Sequence, residues 1–279
     1  MKILITGASG FIGSELTQFF SKKSFKLFCT NRKTLNPLIH GQVEDFFKLN
    51  KIDLVIHTAI EGGRRGQQED SLTLHNNITM FNNLASFSDK YQYMFNFGSG
   101  AEFDRRKNIS IAKEEEVLNK LPSDYYGLSK NLITRKIIKQ NENIFNLRLF
   151  GCFGAKEEEQ RLFKNTYNLL TNGHPPVIHQ DKYMDYFYAQ DIGKVIERIV
   201  EEPYNVPRDI NLCYEKKFLL SEQVERIKCL TKAKNEVTIE KKEQGFSYTG
   251  DGKRLASLGI QLNGLEKGIH ECLINWNKF

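Results

Sequence analysis

Apolar residues along the chain fall into short solid runs separated by longer segments of roughly helical period. Ile3-Leu4-Ile5 sits in a run of strand length that breaks at Gly7, and Phe11, Ile12, Leu16, Phe19 and Phe20 then recur at helical spacing. That pattern predicts strand, tight turn, helix. Further strands are expected over Phe25–Thr30, Ile52–Ala59, Gln92–Gly98 and Ile144–Phe150, the second of these apolar enough to be buried on both faces. Helices are expected over Asn77–Phe87 and from Tyr125 to about Gln140, with a variable loop over Arg105–Leu118. Such alternation belongs to the α/β class with a parallel, doubly wound sheet, whose ligands sit beyond the C-terminal strand ends. Past Gly154 the rhythm changes to helices with shorter strands, with no internal repeat or low-complexity linker. The expected division is a sheet domain over 1–154, with further elements of it near 177–212, and a smaller C-terminal α/β lobe over 155–279 holding cap-type elements around 157–187, 203–250 and 258–279.

Glycines at 7, 10 and 13 occupy the first strand–helix turn. One allows a backbone conformation closed to other residues, one lets the chain approach a pyrophosphate, and one lets helix lie close to strand. The helix start offers free N–H groups to phosphate. The turn therefore reads as a dinucleotide site, with Gly7, Ser9, Gly10, Phe11 and Ile12 as its contacts. At the end of the second strand an acid would grip the ribose hydroxyls of NAD, and a cation would accept the 2′-phosphate of NADP. Asn31-Arg32-Lys33 stands there, so NADP(H) is expected over NAD(H), Arg32 offering the planar fork that matches phosphate. His57 at the end of the third strand reads as packed or capped rather than catalytic. In Glu61-Gly62-Gly63-Arg64-Arg65-Gly66 the glycines permit mobility, and the arginines meet a diphosphate or simply water.

Charge alters this picture little. The 279 residues carry a formal net charge of +6, which suits an anionic ligand but is spread too thinly to indicate nucleic acid. Five scattered cysteines without a Cys-x-x-Cys spacing point to reduced thiols in the cytoplasm, and no metal site is expected. No apolar run approaches ~18 residues and the first strand opens the chain, so neither signal peptide nor membrane span is expected.

Tyr126 and Lys130 lie four apart on a predicted helix and so project from one face. A free tyrosine, with a pKa of about 10, is a poor acid or base at neutral pH. A nearby ammonium lowers that value, and lysine also reaches a nicotinamide ribose. Ser99, at the end of the fourth strand, can hydrogen-bond the same substrate oxygen. Three donors meeting at one oxygen beside a nicotinamide describe hydride transfer to or from a secondary alcohol.

Thr6-Gly7-Ala8-Ser9-Gly10-Phe11-Ile12-Gly13 with Tyr126-x-x-x-Lys130 resembles the extended short-chain dehydrogenase/reductases, the nucleotide-sugar epimerases, dehydratases and reductases. His57-Thr58-Ala59 resembles that family's third-strand end and Asn77 its following helix, which implies that Thr58, Ala59 and Asn77 meet the cofactor. Arg148-Leu149-Phe150 with Gly151-Cys152-Phe153-Gly154 resembles its strand and turn after the catalytic helix, and Met184 to Asp191 a later family segment. Asp251 to Gly259, Leu265 to Ile269 and Trp276 resemble its C-terminal signature. The resemblance implies a homodimer built on helices 74–88 and 125–140.

Within the family, 4,6-dehydratases carry Asp-Glu directly after the catalytic Ser or Thr. Gly100-Ala101 stands here and Glu102 is one place late, which disfavours dehydration. GDP-fucose synthase-type enzymes, which the chain resembles around Arg32-Lys33, epimerise with a Cys and a His. Ala101 falls at the first position and Arg161 near the second. Gly151 replaces the Asn usual in UDP-galactose 4-epimerases. The resulting expectation is an NADPH-dependent reductase of a nucleotide-diphospho-4-keto-6-deoxy or related sugar, with Ser99, Tyr126 and Lys130 catalytic. Ser99, Gly100 and Ala101 face the sugar, and Arg161 and Lys164 either touch the diphosphate or are solvated helix charges. Tyr125 reads as packing rather than a second acid. A 4-epimerase with retained cofactor is the alternative, and a non-catalytic NADP-binding regulator a lesser one.

Overall fold

The computed structural model describes residues 1–64, 66–140 and 143–277. In chain order its elements begin β1 (Lys2–Thr6), α1 (Phe11–Ser21), β2 (Lys26–Thr30), α2 (His40–Leu49), β3 (Leu54–His57), α3 (Ser71–Ala85) and β4 (Tyr93–Ser99). Next come β5 (Ile109–Ala112), α4 (Tyr125–Gln140), β6 (Ile144–Leu149), β7 (Cys152–Phe153), α5 (Leu162–Thr171), β8 (Val177–Gln180) and β9 (Phe187–Tyr188). The chain closes with α6 (Ala189–Glu201), β10 (Asp209–Leu212), α7 (Leu220–Thr231), β11 (Thr238–Lys241), β12 (Tyr248–Gly250), α8 (Lys253–Ala256) and α9 (Gly264–Trp276).

Six strands form a wholly parallel sheet in the order β10-β6-β4-β3-β1-β2. β1, β3, β4, β6 and β10 are buried on both faces, as their solid apolar runs require, while the edge strand β2 is partly exposed. Alternate residues of β1 serve opposite layers. Ile3 and Ile5 join Leu16, Phe20, Ile192 and Ile196 of α1 and α6, while Leu4 joins Val43, Phe81, Leu84 and Ile133 of α2, α3 and α4. After β1 the chain builds β2 on one side and then crosses to build β3 on the other. The crevice between β1 and β3 is therefore the switch point at which such sheets bind ligands.

Several boundaries differ from those read in the sequence. α3 starts at Ser71, well before Asn77, because Asp70 caps it: its Oδ1 accepts from the N–H groups of Leu72 at 2.9 Å and Thr73 at 3.1 Å. The expected variable loop over 105–118 holds β5 and a 3-10 turn, Glu114–Leu118. Ile109 and Ala112 are buried there against Phe150, with Phe103 and Tyr248 packed alongside, and β5 pairs with the distant β12.

α6 packs on the sheet's core and β10 is its edge strand, whereas β8 pairs with β11 outside that sheet. Leu255 and Leu258, far along the chain, also pack into the sheet's core. A separate cluster of Phe163, Tyr167, Ile227, Ile269 and Trp276 packs α5, α7 and α9 together. Among the described residues no helix is long and apolar enough to cross a membrane.

Candidate active site

The glycine turn meets the end of β3 too closely for side chains. Gly7 has φ +66°, and a Cβ there would lie 2.7 Å from Ala59 Cα. A Cβ on Gly13 would lie 2.7 Å from Thr58 Oγ1, whose hydroxyl donates to the Thr6 carbonyl at 2.7 Å. Gly10 caps α1 without a side-chain hydrogen bond, so the first-turn N–H groups stay available to an anion. This cradle fits a pyrophosphate.

From it opens a cleft of about 1020 Å³. Gly7, Ser9, Gly10, Phe11, Ile12, Asn31, Arg32, Lys33, Thr58 and Ala59 line one end, and Ser99, Ala101, Tyr126, Lys130 and Arg161 line the rest. The volume and the basic rim suit a dinucleotide with room for a second ligand.

Three other candidates do not form its wall. Asn77 is buried, donating to the Glu61 carbonyl and accepting from the Glu61 N–H, each at 2.9 Å, and reaching Ser129 at 3.1 Å. It fixes the loop after β3 instead of facing the cleft. Gly100 is covered by Phe150, to which a Cβ would come within 2.5 Å. Lys164 extends its ammonium over the rings of Trp276, at 4.7 Å, and Tyr167, at 5.2 Å. Arg161 does face the cleft, with its guanidinium 4.8 Å from the Phe11 ring centre, and donates to the Cys152 carbonyl at 2.7 Å. Arg64 pairs with Glu158 at 3.1 Å. Arg65 lies outside the described residues.

Ser99, Tyr126 and Lys130 converge on the cleft from the end of β4 and the first turns of α4. α4 opens on Asp124, whose Oδ1 accepts from the Gly127 N–H at 2.8 Å. Lys130 donates to the Phe97 carbonyl of β4 at 2.6 Å, and burial pulls its pKa down to about 8. The Tyr126 phenol behaves opposite to the sequence expectation. Burial pushes it up to about 12, outweighing a hydrogen bond from Ser99 and the charge of Arg105. With its ammonium drawn to the β4 backbone, Lys130 does not offset that cost. His57 is buried and held down to about 3 by desolvation and then by Lys130, so it is neutral, with Nδ1 2.8 Å from Thr6 Oγ1. That matches the packed role.

Glu102 is fully buried beneath Ser99. Its Oε1 accepts from the Ser99 N–H at 2.8 Å, and its Oε2 accepts from Thr134 at 2.9 Å and Arg148 Nε at 2.8 Å. The carboxylate one place late is thus turned away from the cleft into the interior.

Sequence reading missed two cleft residues. Arg105 bridges Glu69 and, at 3.0 Å, Asp124, and its guanidinium lies 5.6 Å from the Tyr126 ring centre. Tyr248 enters from β12 and lines the cleft together with Ser99 and Tyr126. No local pattern marks either one. Among the described residues no group of His, Cys, Asp or Glu is arranged to hold a metal.

Comparison with known proteins gives this geometry its lineage. Residues 3–213 match the model of the NAD dependent epimerase/dehydratase family. A dTDP-D-glucose 4,6-dehydratase of Dictyostelium discoideum is 27% identical over 259 residues, 76% of this chain, which spans 59% of that longer protein. The GDP-L-colitose synthase of Yersinia pseudotuberculosis is 21% identical, with 80% of this chain and 79% of that protein covered. Among solved structures, MlghC, a GDP-mannoheptose C4 reductase from Campylobacter jejuni with NADP bound, shares the fold at a TM-score of 0.82 and 18% identity. That match covers 100% of this chain and 98% of the other. The chain belongs to the NAD dependent epimerase/dehydratase family, a branch of the extended short-chain dehydrogenase/reductases.

Proposed function

We propose that the protein reduces the C4 keto group of a nucleotide-diphospho-4-keto-6-deoxy or related sugar, using NADPH. The observation that carries this reading is that Ser99, Tyr126 and Lys130 line one cleft with the glycine turn. Carbonyl reduction needs a proton and a hydrogen bond at the oxygen whose charge grows, and Tyr126 and Ser99 have them to give there. Nicotinamide, when bound, supplies the hydride to sugar C4. Tyr126 passes its proton to the C4 oxygen, and Ser99 donates a hydrogen bond to the same oxygen and so stabilises the charge growing there. Lys130, one turn along α4, holds the nicotinamide ribose. The glycine turn and the start of α1 take the pyrophosphate, and Arg32 and Lys33 take the 2′-phosphate. Arg161 at the cleft wall is placed for the sugar's diphosphate. GDP-mannoheptose C4 reduction, named for a structural neighbour above, is a reaction of this kind. A homodimer through α3 and α4 accords with the exposed Leu72, Tyr125 and Ile138 on those helices.

One observation favours a second reading, an epimerase with retained NAD. Glu61 reaches the rim of the cleft and pairs with Arg32, supplying near β2 the acid that would grip adenosine ribose hydroxyls.

The deciding experiment follows NADPH oxidation against 4-keto-6-deoxy sugars made in situ on GDP, dTDP, CDP and UDP. Turnover with one of them, abolished by Tyr126→Phe while NADPH still binds, is the expected result. No oxidation with any of them overturns the reductase reading. Activity without added NADPH, from enzyme purified with cofactor in place, selects the epimerase.

A further inference from the structure

The Tyr126 ring is held from outside its own helix. The backbone of the loop after β3 lies against it: a Cβ on Gly62 would come 3.3 Å from Tyr126 Cδ2, and one on Gly63 would come 2.7 Å from Cζ. Both glycines hold left-handed backbone, at φ +79° and +80°. The Arg105 guanidinium lies over the same ring, 5.6 Å from its centre.

Arg105 also joins the two segments that fix the phenol. Glu69 Oε1 accepts from the Gly63 N–H at 2.9 Å, and Glu69 Oε2 accepts from Arg105 Nη2. Asp124 Oδ1 accepts from the Gly127 N–H at 2.8 Å and pairs with the same Arg105 Nη2 at 3.0 Å. One guanidinium nitrogen thus links the loop that presses on Tyr126 to the first turn of the helix that carries it. The Glu69 and Asp124 side chains are only 9% and 17% exposed, so water does little to loosen this bridge. Without the cation, two carboxylates would be left facing each other.

The preceding residue secures the bridge at its base. Asp104 is buried with φ +70°, and its Oδ1 accepts from Ser123 Oγ at 3.4 Å, next to Asp124. Strained backbone of this kind persists only where its surroundings hold it. Arg105 takes no part in the proton and hydride transfers proposed above, yet it lines the cleft in which they occur.

We propose that Arg105 is a positioning residue for the proton donor: by tying the Gly63 loop to the start of α4, it fixes the Tyr126 phenol at the place from which its proton is given. This rests on the proposed reduction.

Arg105→Ala tests it, measured with NADPH and the 4-keto sugar that the wild type turns over. A catalytic group misplaced by about 1 Å costs up to about 100-fold. The variant should therefore lose at least about tenfold in kcat, while KM and NADPH affinity change by less than about twofold. Because the Arg105 side chain lines the cleft and is 34% exposed, the space it vacates is open to a small cation. Millimolar guanidinium chloride should restore part of kcat, and sodium chloride at the same concentration should not, since only the planar fork can bridge both acids. Glu69→Ala cuts the same link from its other end and should show the same loss in kcat alone. Combined with Arg105→Ala it should cost less than about threefold more.

An unchanged kcat in Arg105→Ala overturns the inference. So does a raised KM at constant kcat, which would make Arg105 a sugar ligand, or a full second loss in the double variant. Should Arg105→Ala fail to fold, Glu69→Ala alone decides by the same split between kcat and KM. Tyr126→Phe run in parallel separates the two levels: inactive Tyr126→Phe beside a fully active Arg105→Ala removes only the role of Arg105. A wild type that turns over no 4-keto sugar, or an active Tyr126→Phe, overturns the reductase reading and this inference with it.

Discussion

Arg32 and Glu61 form an ion pair across the rim of the cleft, joining the end of β2 to the loop that follows β3. The Glu61 carboxylate also accepts from Asn76 at 2.7 Å, so it is held in place while the Arg32 side chain is 66% exposed. A 2′-phosphate must compete with Glu61 for the guanidinium. Glu61→Gln should therefore tighten NADPH binding several-fold and leave NADH unchanged, whereas Arg32→Ala should weaken NADPH about tenfold. Isothermal titration with both cofactors reads the two effects. Tighter NADH binding in Arg32→Ala would mark Glu61 as a ribose ligand and favour the epimerase.

Gly63 presses on the catalytic candidate itself. Its φ is +80°, and a Cβ would lie 2.7 Å from Tyr126 Cζ and 2.9 Å from the phenol oxygen. Gly66 has φ +79° with nothing within 4 Å. Alanine at either position brings similar backbone strain, roughly 1 kcal/mol, and similar small falls in Tm. Only Gly63→Ala should displace the phenol, with kcat falling at least tenfold and NADPH affinity little changed. Equal kcat values for the two variants would show that the 61–66 loop yields freely.

Lys130 gives the site a pH limit. Its pKa of about 8 means that the ammonium is lost above that pH, while Tyr126 keeps its proton until about 12. If the charge holds the cofactor, kcat/KM falls above about pH 8. Lys130→Met should be down roughly 100-fold or more and lack that break. Stability moves the other way. Between about 8 and the ordinary value of 10.5 the unfolded chain holds a proton that the folded chain has released. Burial of this lysine therefore costs stability below that window, and the cost is relieved as pH rises through it. Wild-type Tm should accordingly gain on Lys130→Met from pH 8 to 10.

Arg148 is fully buried, with Nη2 at 2.8 Å from both Glu102 and Asp209 and Nη1 at 2.9 Å from Asn211. Arg148→Met leaves two buried carboxyl groups facing each other, which should cost about 3–5 kcal/mol by chemical denaturation. Because Glu102 also holds the Ser99 N–H, kcat of the folded fraction should fall as well. A stable, fully active Arg148→Met would show that the network serves neither end.

What the sequence displayed were the features written in consecutive residues. β1, the glycine turn and α1 announce themselves in a dozen positions, and Tyr126 and Lys130 share a helix face by spacing alone. Features that depend on distant partners left no such trace. β5 exists because β12 pairs with it, and Tyr248 enters the cleft because that pairing sets its register. Lys164 and Arg161 look alike on a helical segment, yet one covers Trp276 and the other faces Phe11. Glu102 is hidden by a buried arginine two strands away in the chain, and the protonation of Tyr126 follows from burial that no spacing rule expresses.

The sheet stops at β2. Among the described residues no further strand flanks β2, so a dinucleotide's purine end beside Asn31, Arg32 and Lys33 would lie on the open border of the sheet. Under the proposed reduction, such a border suits a reagent replaced at every turnover better than one kept aboard for life.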